Sequence, residues 1–453
     1  LQSTDYLIVG AGAMGMAFAD TLLTETEATL TIVDQQHRPG GHWNVAYPYV
    51  RLHQPSAFYG VESTPLGSNT IDATGLNKGL YELASGSEVC TYFDQIMQQR
   101  FLPSGRVRYL PMCKQTDGGV VNVLTGESVA AQGKTQVDAT YMKVTVPAMR
   151  DPLYPIDDGV HCVPPNALPE TAAKFERYVV IGGGKTGMDA CLFLLSHGVD
   201  PRNISWIMPR DSWVYDRAMT QPEALFSDSL GRGIAGQMQA MAEATSLEDL
   251  LVRVEAIGFI RRFDESVWPT MWRCATVSPL EFDQLKRIED VVRLGRVTHI
   301  SASEIVLEQG AIPTSERVLH IDCTADGLQP RPPVPVFQGD HICLQTVRAC
   351  QQVFSASLIA HVEGAYGTEE EKNELCTPVP HPSTDVDFLH TSLANALNLG
   401  RWSADAKMLQ WLIDSRLDGF TVAEQFAEPA AVEAMAELGM KAVMNISKLQ
   451  AEL

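Results

Sequence analysis

Two glycine-rich turns constrain this chain more than anything else in it: Gly10-Ala11-Gly12-Ala13-Met14-Gly15 and Gly182-Gly183-Gly184-Lys185-Thr186-Gly187. An apolar run precedes each, Tyr6-Leu7-Ile8-Val9 and Tyr178-Val179-Val180-Ile181, suited to a buried parallel strand. After each, apolar residues recur at helical spacing: Ala17, Phe18, Leu22 and Leu23 in one case, Cys191, Leu192, Leu194 and Leu195 in the other. Strand, tight turn and helix head make a cradle for a pyrophosphate. The first glycine permits the turn, the second lets backbone N–H groups reach the phosphates, and the third lets helix pack on strand. On this reading Gly10, Gly12, Ala13, Met14 and Gly15 hold one dinucleotide, and Gly182, Gly184, Lys185, Thr186 and Gly187 hold another. Two cradles predict two coenzymes placed so that electrons pass between them.

The residues that end the following strands distinguish the two. The strand Thr29–Val33 runs into Asp34, about 20 residues beyond the glycines, where a partner for the ribose hydroxyls is expected. An acid there favours an unphosphorylated adenosine ribose, as in FAD or NAD. The strand Ile204–Met208 ends without an acid, and Arg210 lies just past it. A guanidinium at that place suits the 2′-phosphate of NADP, and Lys185 adds charge inside the turn. Gly198 is expected to stop the intervening helix.

Composition bounds the remaining possibilities. The chain has 453 residues, enough for two or three domains, and its 34 basic against 55 acidic residues give a net charge of −21. That balance opposes nucleic acid and anionic membrane surfaces as partners. No run is long enough to span a bilayer and no segment reads as a secretory signal, so a cytoplasmic protein is expected. The chain starts without Met, one short step before a strand, as a trimmed N-terminus would. Nine cysteines are scattered without a CxxC or a metal-ligand spacing, which predicts reduced, mostly buried thiols and no metal. Reducing equivalents are then expected to leave through a flavin to something other than a protein disulfide.

The segment after Asp34 carries more. His37-Arg38-Pro39-Gly40-Gly41-His42-Trp43-Asn44 leads into Tyr47-Pro48-Tyr49-Val50-Arg51-Leu52-His53-Gln54-Pro55-Ser56. Here the chain resembles the flavin-containing monooxygenase superfamily, in which a glycine pair and a Trp follow the ribose acid and a Tyr-Pro/Arg-rich segment lies near the flavin. The order of parts is similar over most of residues 5–365. The family's F-x-G-x-x-x-H fingerprint is replaced by Gly159-Val160-His161-Cys162-Val163-Pro164-Pro165-Asn166, which marks a divergent branch. The resemblance implies bound FAD and NADPH, with oxygen transferred to a small organic molecule by way of a C4a-(hydro)peroxyflavin. It also implies a flavin environment built from Gly41, Trp43, Asn44, Arg51, His53 and Gln54. In it Asn44 donates to a hydroperoxide and Arg51 stabilises a peroxide anion. His53 taken alone reads rather as a hydrogen-bonded core histidine, while the segment as a whole reads as flavin-lining.

Further along, Val318–Cys323 and Thr324-Ala325-Asp326-Gly327-Leu328 resemble the family's crossing back to the FAD domain, and Pro330–Pro335 reads as an extended linker. Gly339-Asp340 fits either a ribityl-binding pair or a plain turn. Gln345, Thr346 and Arg348 are expected at the head of a helix over about Ala349–Val362, aimed at flavin oxygens or a phosphate, or simply covering the helix start.

The fold expected is α/β: two Rossmann-like dinucleotide-binding domains, the NADPH domain inserted in the FAD domain, with a helical C-terminal region. Its boundaries are 1–168 and 326–365 for the FAD domain, 169–325 for the NAD(P)H domain, and 366–453 for the helices. Met219, Met238 and Met241 read as helix packing or an adaptable pocket wall. Leu389, Leu393, Leu397, Trp402, Leu409 and Trp411 are expected to cover the FAD domain or form a subunit contact, which leaves a homo-oligomer open. The partners implied are a small-molecule substrate and O2. Two other functions share the scaffold: an FAD-dependent NAD(P)H oxidoreductase, oxidase or halogenase, and a non-catalytic nucleotide sensor.

Overall fold

In the computed structural model, which describes residues 3–226, 231–325, 327–328, 330–421 and 428–453, the two apolar runs are central strands of two separate sheets. Strand β1 (Thr4–Val9) passes through the first turn into helix α1 (Ala13–Glu25) and returns as β2 (Leu30–Val33), paired in parallel with Val9 opposite Val33. Helix α2 (Gly86–Ile96) starts on a capping box in which Ser85 and Glu88 satisfy each other's backbone N–H groups. It leads to β3 (Val107–Leu110) beside β2, and β4 (Gly133–Asp138) lies on the other side of β1.

The second sheet opens with β5 (Cys162–Val163), ahead of the boundary expected at 168. Strand β6 (Arg177–Ile181) enters the second turn and helix α3 (Lys185–Ser196), followed by β7 (Ile204–Ile207). Gly198, at φ 84°, ends α3; its N–H and that of Val199 donate to the Leu195 and Leu194 carbonyls at 3.1 Å. An insertion then carries a small sheet in which β8 (Ser212–Asp216) pairs with β9 (Met271–Val277), with helices α4 (Arg232–Glu243) and α5 (Leu247–Ala256) between them in the chain. Helix α6 (Pro279–Leu285), β10 (Val291–Val292) and β11 (Val318–Asp322) complete a parallel sheet of order β5-β11-β6-β7-β10.

The chain then returns. Strands β12 (Phe337–Gln338) and β13 (His341–Cys343) form a hairpin, and β13 pairs in parallel with β4, so the first sheet reads β12-β13-β4-β1-β2-β3. The second domain is therefore inserted in the first, as the sequence predicts. Asp326 of the crossing lies outside the described residues. Gly339 and Asp340 are the hairpin turn, with Gly339 at φ 65°. Because that turn precedes β13, it sits at the strands' N-terminal end, away from the glycine cradle. The ribityl role is thereby excluded.

Helix α7 (Gln352–Ala365) lies beside α1 in the same direction: Thr21 meets Ser357 at 2.7 Å and His361 meets Glu25 at 2.6 Å. Both helix heads consequently open at the same end of the first sheet. Among the described residues four helices follow, α8 (Glu369–Leu375), α9 (Asp385–Ala404), α10 (Ala406–Asp414) and α11 (Pro429–Ala451). Trp402, Met408 and Leu412 complete the core of the first domain. Phe388, Leu389, Ile446 and Leu449 instead join Trp213, Trp272 and Leu250 in the insertion's core. Full burial of side chains this large stabilises by about 1.5–3 kcal/mol each. The expectation that this region covers the FAD domain holds for only part of it; Leu389 and Leu393 pack on the insertion, and Leu397 stays 43% exposed. The insertion's methionines serve helix packing, with the Met219 and Met238 methyls against Gly233 and Gly439. Among the described residues, no helix is long and apolar enough to cross a membrane.

Candidate functional site

The two turns repeat one geometry. Gly10 and Gly182 have φ of 107° and 125°, backbone that only glycine adopts without strain. A Cβ on Gly15 would lie 2.0 Å from the Gly10 carbonyl oxygen, and one on Gly187 would lie 2.0 Å from that of Gly182. The third glycine thus lets helix rest on strand. The second faces open space: nothing lies within 4 Å of a Cβ on Gly184, and only the Gly41 Cα, at 3.6 Å, meets one on Gly12. Space is left at the position a pyrophosphate needs, with Ala13 and Met14 at the head of one helix and Lys185 and Thr186 at the head of the other.

The loop after Asp34 reaches from one cradle to the other. Gly40 donates to the Ala11 carbonyl at 2.9 Å, and Gly41 lies against Gly12. Farther on, the Tyr47 hydroxyl donates to Asp189 of α3 at 2.6 Å, Tyr49 stacks on Phe193 at 4.4 Å, and the Val45 carbonyl accepts from Asn166. Burial first, and then Asp189, push the Tyr47 phenol well above its ordinary value, so it stays a donor. Trp43 donates to Tyr59 at 2.7 Å and stacks on His42.

His53 lies where this loop meets the second domain. Its carbonyl accepts from Arg217 at 2.9 Å, and its Nδ1 is enclosed without a hydrogen-bond partner among the described residues. Burial first, then Lys185 and Arg217, lower the imidazole from its ordinary 6.5 to about 3. It is neutral wherever the protein is folded at moderate pH. Arg217 is fully buried and donates to Glu281 at 2.7 Å, to the Asn77 side chain at 2.9 Å and to the Thr276 carbonyl. Burial opposes the Glu281 charge, yet Arg217 and Lys185 hold its carboxyl below the usual range.

The His53 shift fixes the sign of a pH effect. Between about 6.5 and about 3 the unfolded chain binds a proton there that the folded chain does not, so stability falls as pH falls through that window. One proton corresponds to about 1.4 kcal/mol per pH unit. His53→Gln is expected to flatten the pH dependence of urea-unfolding free energy between about pH 6 and 4 by close to that amount. An unchanged slope would mean that the imidazole titrates normally in the folded protein.

Beyond β7, Arg210 donates to the Thr270 carbonyl and, at 3.0 Å, to that of Ser383. Burial, and then the like charges of Arg273 and Arg296, lower its guanidinium from the ordinary value. Three cations thus gather past the strand that lacks a terminal acid. A cleft of about 500 Å³ opens where the chain crosses between domains, lined by Pro147, Arg150, Pro164 and Asp322 among others.

Several residues singled out from sequence have other work. Both Asp34 carboxylate oxygens accept backbone N–H groups, of Ala11 at 2.6 Å and Gln36 at 2.7 Å, so the acid braces the turn. Asn44, expected to face a hydroperoxide, is taken up by its own loop: it accepts from Arg38 and donates to the Arg38, Pro39 and Gly41 carbonyls. Arg51, expected beside a peroxide, is exposed and donates to Leu83. Lys185 pairs with Asp189 one turn along α3 rather than standing free for a phosphate. Gln54 is partly buried and makes one long contact, 3.4 Å, to the Phe58 carbonyl. The Gln345 amide clamps both backbone groups of Val334, and Arg348 is locked by Asp418 with its guanidinium 3.9 Å over Phe354. The cysteine expectation is also corrected: Cys274 and Cys350 are joined, with His381 beside them. Sequence spacing hides that pair, because β9 and the head of α7 meet only in the folded chain. Tyr47, Asp189, Arg217, Glu281 and His381 complete the junction. No periodicity or motif marks Asp189, Arg217 or His381, whereas Glu281 closes the capping box Ser278-Pro279-Leu280-Glu281 at the head of α6.

A family model described as an NAD(P)-binding Rossmann-like domain matches residues 8–52. The uncharacterized protein Rv2000 of Mycobacterium tuberculosis is 51% identical over 416 residues, covering 92% of this chain and 77% of its own length. Among solved structures, cyclohexanone monooxygenase from Rhodococcus sp. Phi1 bound to NADP+ is similar at 15% identity and TM-score 0.47, covering 100% of this chain and 98% of that one. A flavin-containing monooxygenase from Stenotrophomonas maltophilia is similar at 15% identity and TM-score 0.40, with 89% and 100% covered.

Proposed function

The chain belongs to one family with the mycobacterial protein, and from its paired cradles we propose that it is an NADPH-dependent FAD monooxygenase of the flavin-containing monooxygenase superfamily, acting on a small organic molecule. The observation that carries this reading is the duplicated turn geometry, with the Gly40–His53 loop running from one turn to the other. The residues fit both coenzymes. FAD would lie on Gly10, Gly12, Gly15 and the head of α1, beside Asp34, Gly41 and Trp43. NADPH would lie on Gly182, Gly184, Gly187 and the head of α3, with its 2′-phosphate toward Arg210, Arg273 and Arg296. Bound there, NADPH supplies hydride and FAD the two-electron chemistry with O2. The chain's own residues hold and enclose. Tyr47 and Lys185 fix Asp189 at the junction, and the neutral His53 offers its enclosed Nδ1 to one hydrogen bond.

Substrate-dependent NADPH consumption with one atom of labelled oxygen entering the product is the test. Hydrogen peroxide formed in step with NADPH, and no label incorporated, would instead make the protein an oxidase. A colourless protein that accepts no FAD would leave a nucleotide sensor. One observation favours an FAD-dependent NAD(P)H oxidoreductase without oxygen insertion as second reading: the Asn44 amide and the Arg51 guanidinium, the groups that would meet a peroxide, are both spent on backbone carbonyls.

Arg210→Ala is expected to weaken NADPH binding by about 1.5–3 kcal/mol, the worth of charge-assisted hydrogen bonds to a phosphate, and to leave NADH nearly unchanged. Titration by fluorescence measures both. Equal losses would remove Arg210 from the phosphate site.

A further inference from the structure

We propose that Cys274, Cys350 and His381 form a reversible dithiol–disulfide site that clamps β9 to the head of α7 and, when oxidised, holds the NADPH-phosphate loop in its binding form. The link to NADPH rests on the reading of Arg210 given above; the redox site itself does not.

The pair is 76 residues apart in sequence and brought to a Cα–Cα distance of 6.4 Å, within the span a disulfide bridges. The remaining cysteines among the described residues are free, and all but one of them are buried. Both members of the pair have left-handed backbone, φ 54° at Cys274 and φ 62° at Cys350, a conformation that non-glycine residues keep only where surroundings impose it. At Cys274 the register of β9 against β8 shifts between the Trp213 and Tyr215 pairings, so the strand bulges at the cysteine. Bulges re-aim side chains, and this one turns Cys274 toward α7.

Exposure orders the chemistry. Cys274 is buried, whereas Cys350 is partly exposed and is the sulfur a small oxidant or thiol meets first. A ring nitrogen of His381 and both sulfurs lie within 4.8 Å of one another. His381 Nδ1 faces the Pro382 carbonyl at 3.1 Å; a carbonyl only accepts, so Nδ1 carries hydrogen and Nε2 is the basic nitrogen. Burial keeps this imidazole neutral, with its value lowered to about 4. With hydrogen peroxide as oxidant, the Cys350 sulfur attacks the O–O bond, gives its proton by way of His381 to the departing hydroxide, and becomes a sulfenic acid with release of water. The Cys274 sulfur then displaces the second oxygen as water. In total two thiols and one peroxide give one disulfide and two waters. A small dithiol reverses this by exchange, taking both electrons' worth of oxidation as its own disulfide.

The clamp reaches the second cradle through backbone. Trp272, two residues before Cys274, donates to the Ser383 carbonyl at 3.2 Å, and Met271 bridges Thr384. Arg210 donates to that same Ser383 carbonyl and to Thr270. The segment 381–384 therefore carries His381 at one end and the support of Arg210 at the other. Fixing β9 preorganises Arg210 and lowers the cost of binding.

The test uses the full chain as purified. After reduction with dithiothreitol and its removal, the native protein is treated with hydrogen peroxide, quenched in acid, alkylated and mapped by mass spectrometry. All nine cysteines should alkylate before peroxide. Afterwards Cys274 and Cys350 should be lost together as one linked peptide pair, and dithiothreitol should restore them. His381→Gln should slow linking by about tenfold. NADP+ should bind at least about threefold more weakly after reduction, and the Cys274→Ser/Cys350→Ser protein should match the reduced protein in both conditions. Overturning results are nine free thiols after peroxide, a link between other cysteines, or over-oxidation of single cysteines in its place. Another is cobalt(II) thiolate absorption with linking blocked, which would make the cluster a metal site. Normal linking with equal NADP+ affinity in both states would overturn the coupling. If Arg210→Ala is also silent, it is the Arg210 reading that has failed.

Discussion

Gly15→Ala is expected to cost more than about 4 kcal/mol and to leave little folded protein. The added Cβ would lie 2.0 Å from the Gly10 carbonyl oxygen and 3.2 Å from Ala139, where neither backbone nor β4 has room to give. Gly187→Ala should do the same to the second domain, for the same reason. Gly12→Ala is the control, because its Cβ meets only Gly41, at 3.6 Å. That variant should melt within a few degrees of the parent without nucleotide, while Gly12→Val should fold yet lose FAD on gel filtration. Melting curves and flavin absorbance read both. A folded, stable Gly15→Ala protein would show that α1 does not rest on β1 as described.

Arg217→Ala is expected to cost about 3–5 kcal/mol, the usual penalty for removing one partner of a buried ion pair. Arg217 is fully buried, with Glu281 only slightly exposed, and its other donors hold His53, Asn77 and Thr276. Without it Glu281 loses the nearest charge that keeps it ionised, and the variant should take up an extra proton on folding near pH 5. The expected sign is stability that falls as pH rises through the raised Glu281 value, the reverse of the parent. Denaturant titrations at two pH values measure both effects. A loss below about 1 kcal/mol would show that water reaches this pair.

The parts of this fold that the sequence discloses are those set by local rules. Tyr6–Val9 and Tyr178–Ile181 are strands because unbroken apolar runs suit sheets covered on both faces. Gly10 and Gly182 take positive φ because the turn demands it, and Gly198 stops α3 for the same reason. The site was less legible because its side chains are assigned by neighbours far along the chain. Nothing near Gln345 says that Val334 will meet its amide, and nothing near Arg348 announces Asp418. Asn44 shows the opposite case, with its partners close by in its own loop. A short amide beside glycines satisfies itself locally, and that competes with any ligand. Arg217 and Glu281 are separated by 64 positions, so their pairing could not be read from spacing.

The C-terminal helices have a consequence for motion. Trp402 sits 1% exposed within the first domain's core, its indole N–H held by the Leu375 carbonyl at 2.8 Å, while Phe388 on the same helix packs on Trp272 of the insertion. One rigid rod is anchored at both ends. A swing that opened the two halves like a clam would have to tear an aromatic ring out of dry surroundings. Coenzyme exchange is therefore expected to proceed by small shifts of loops over a splinted frame.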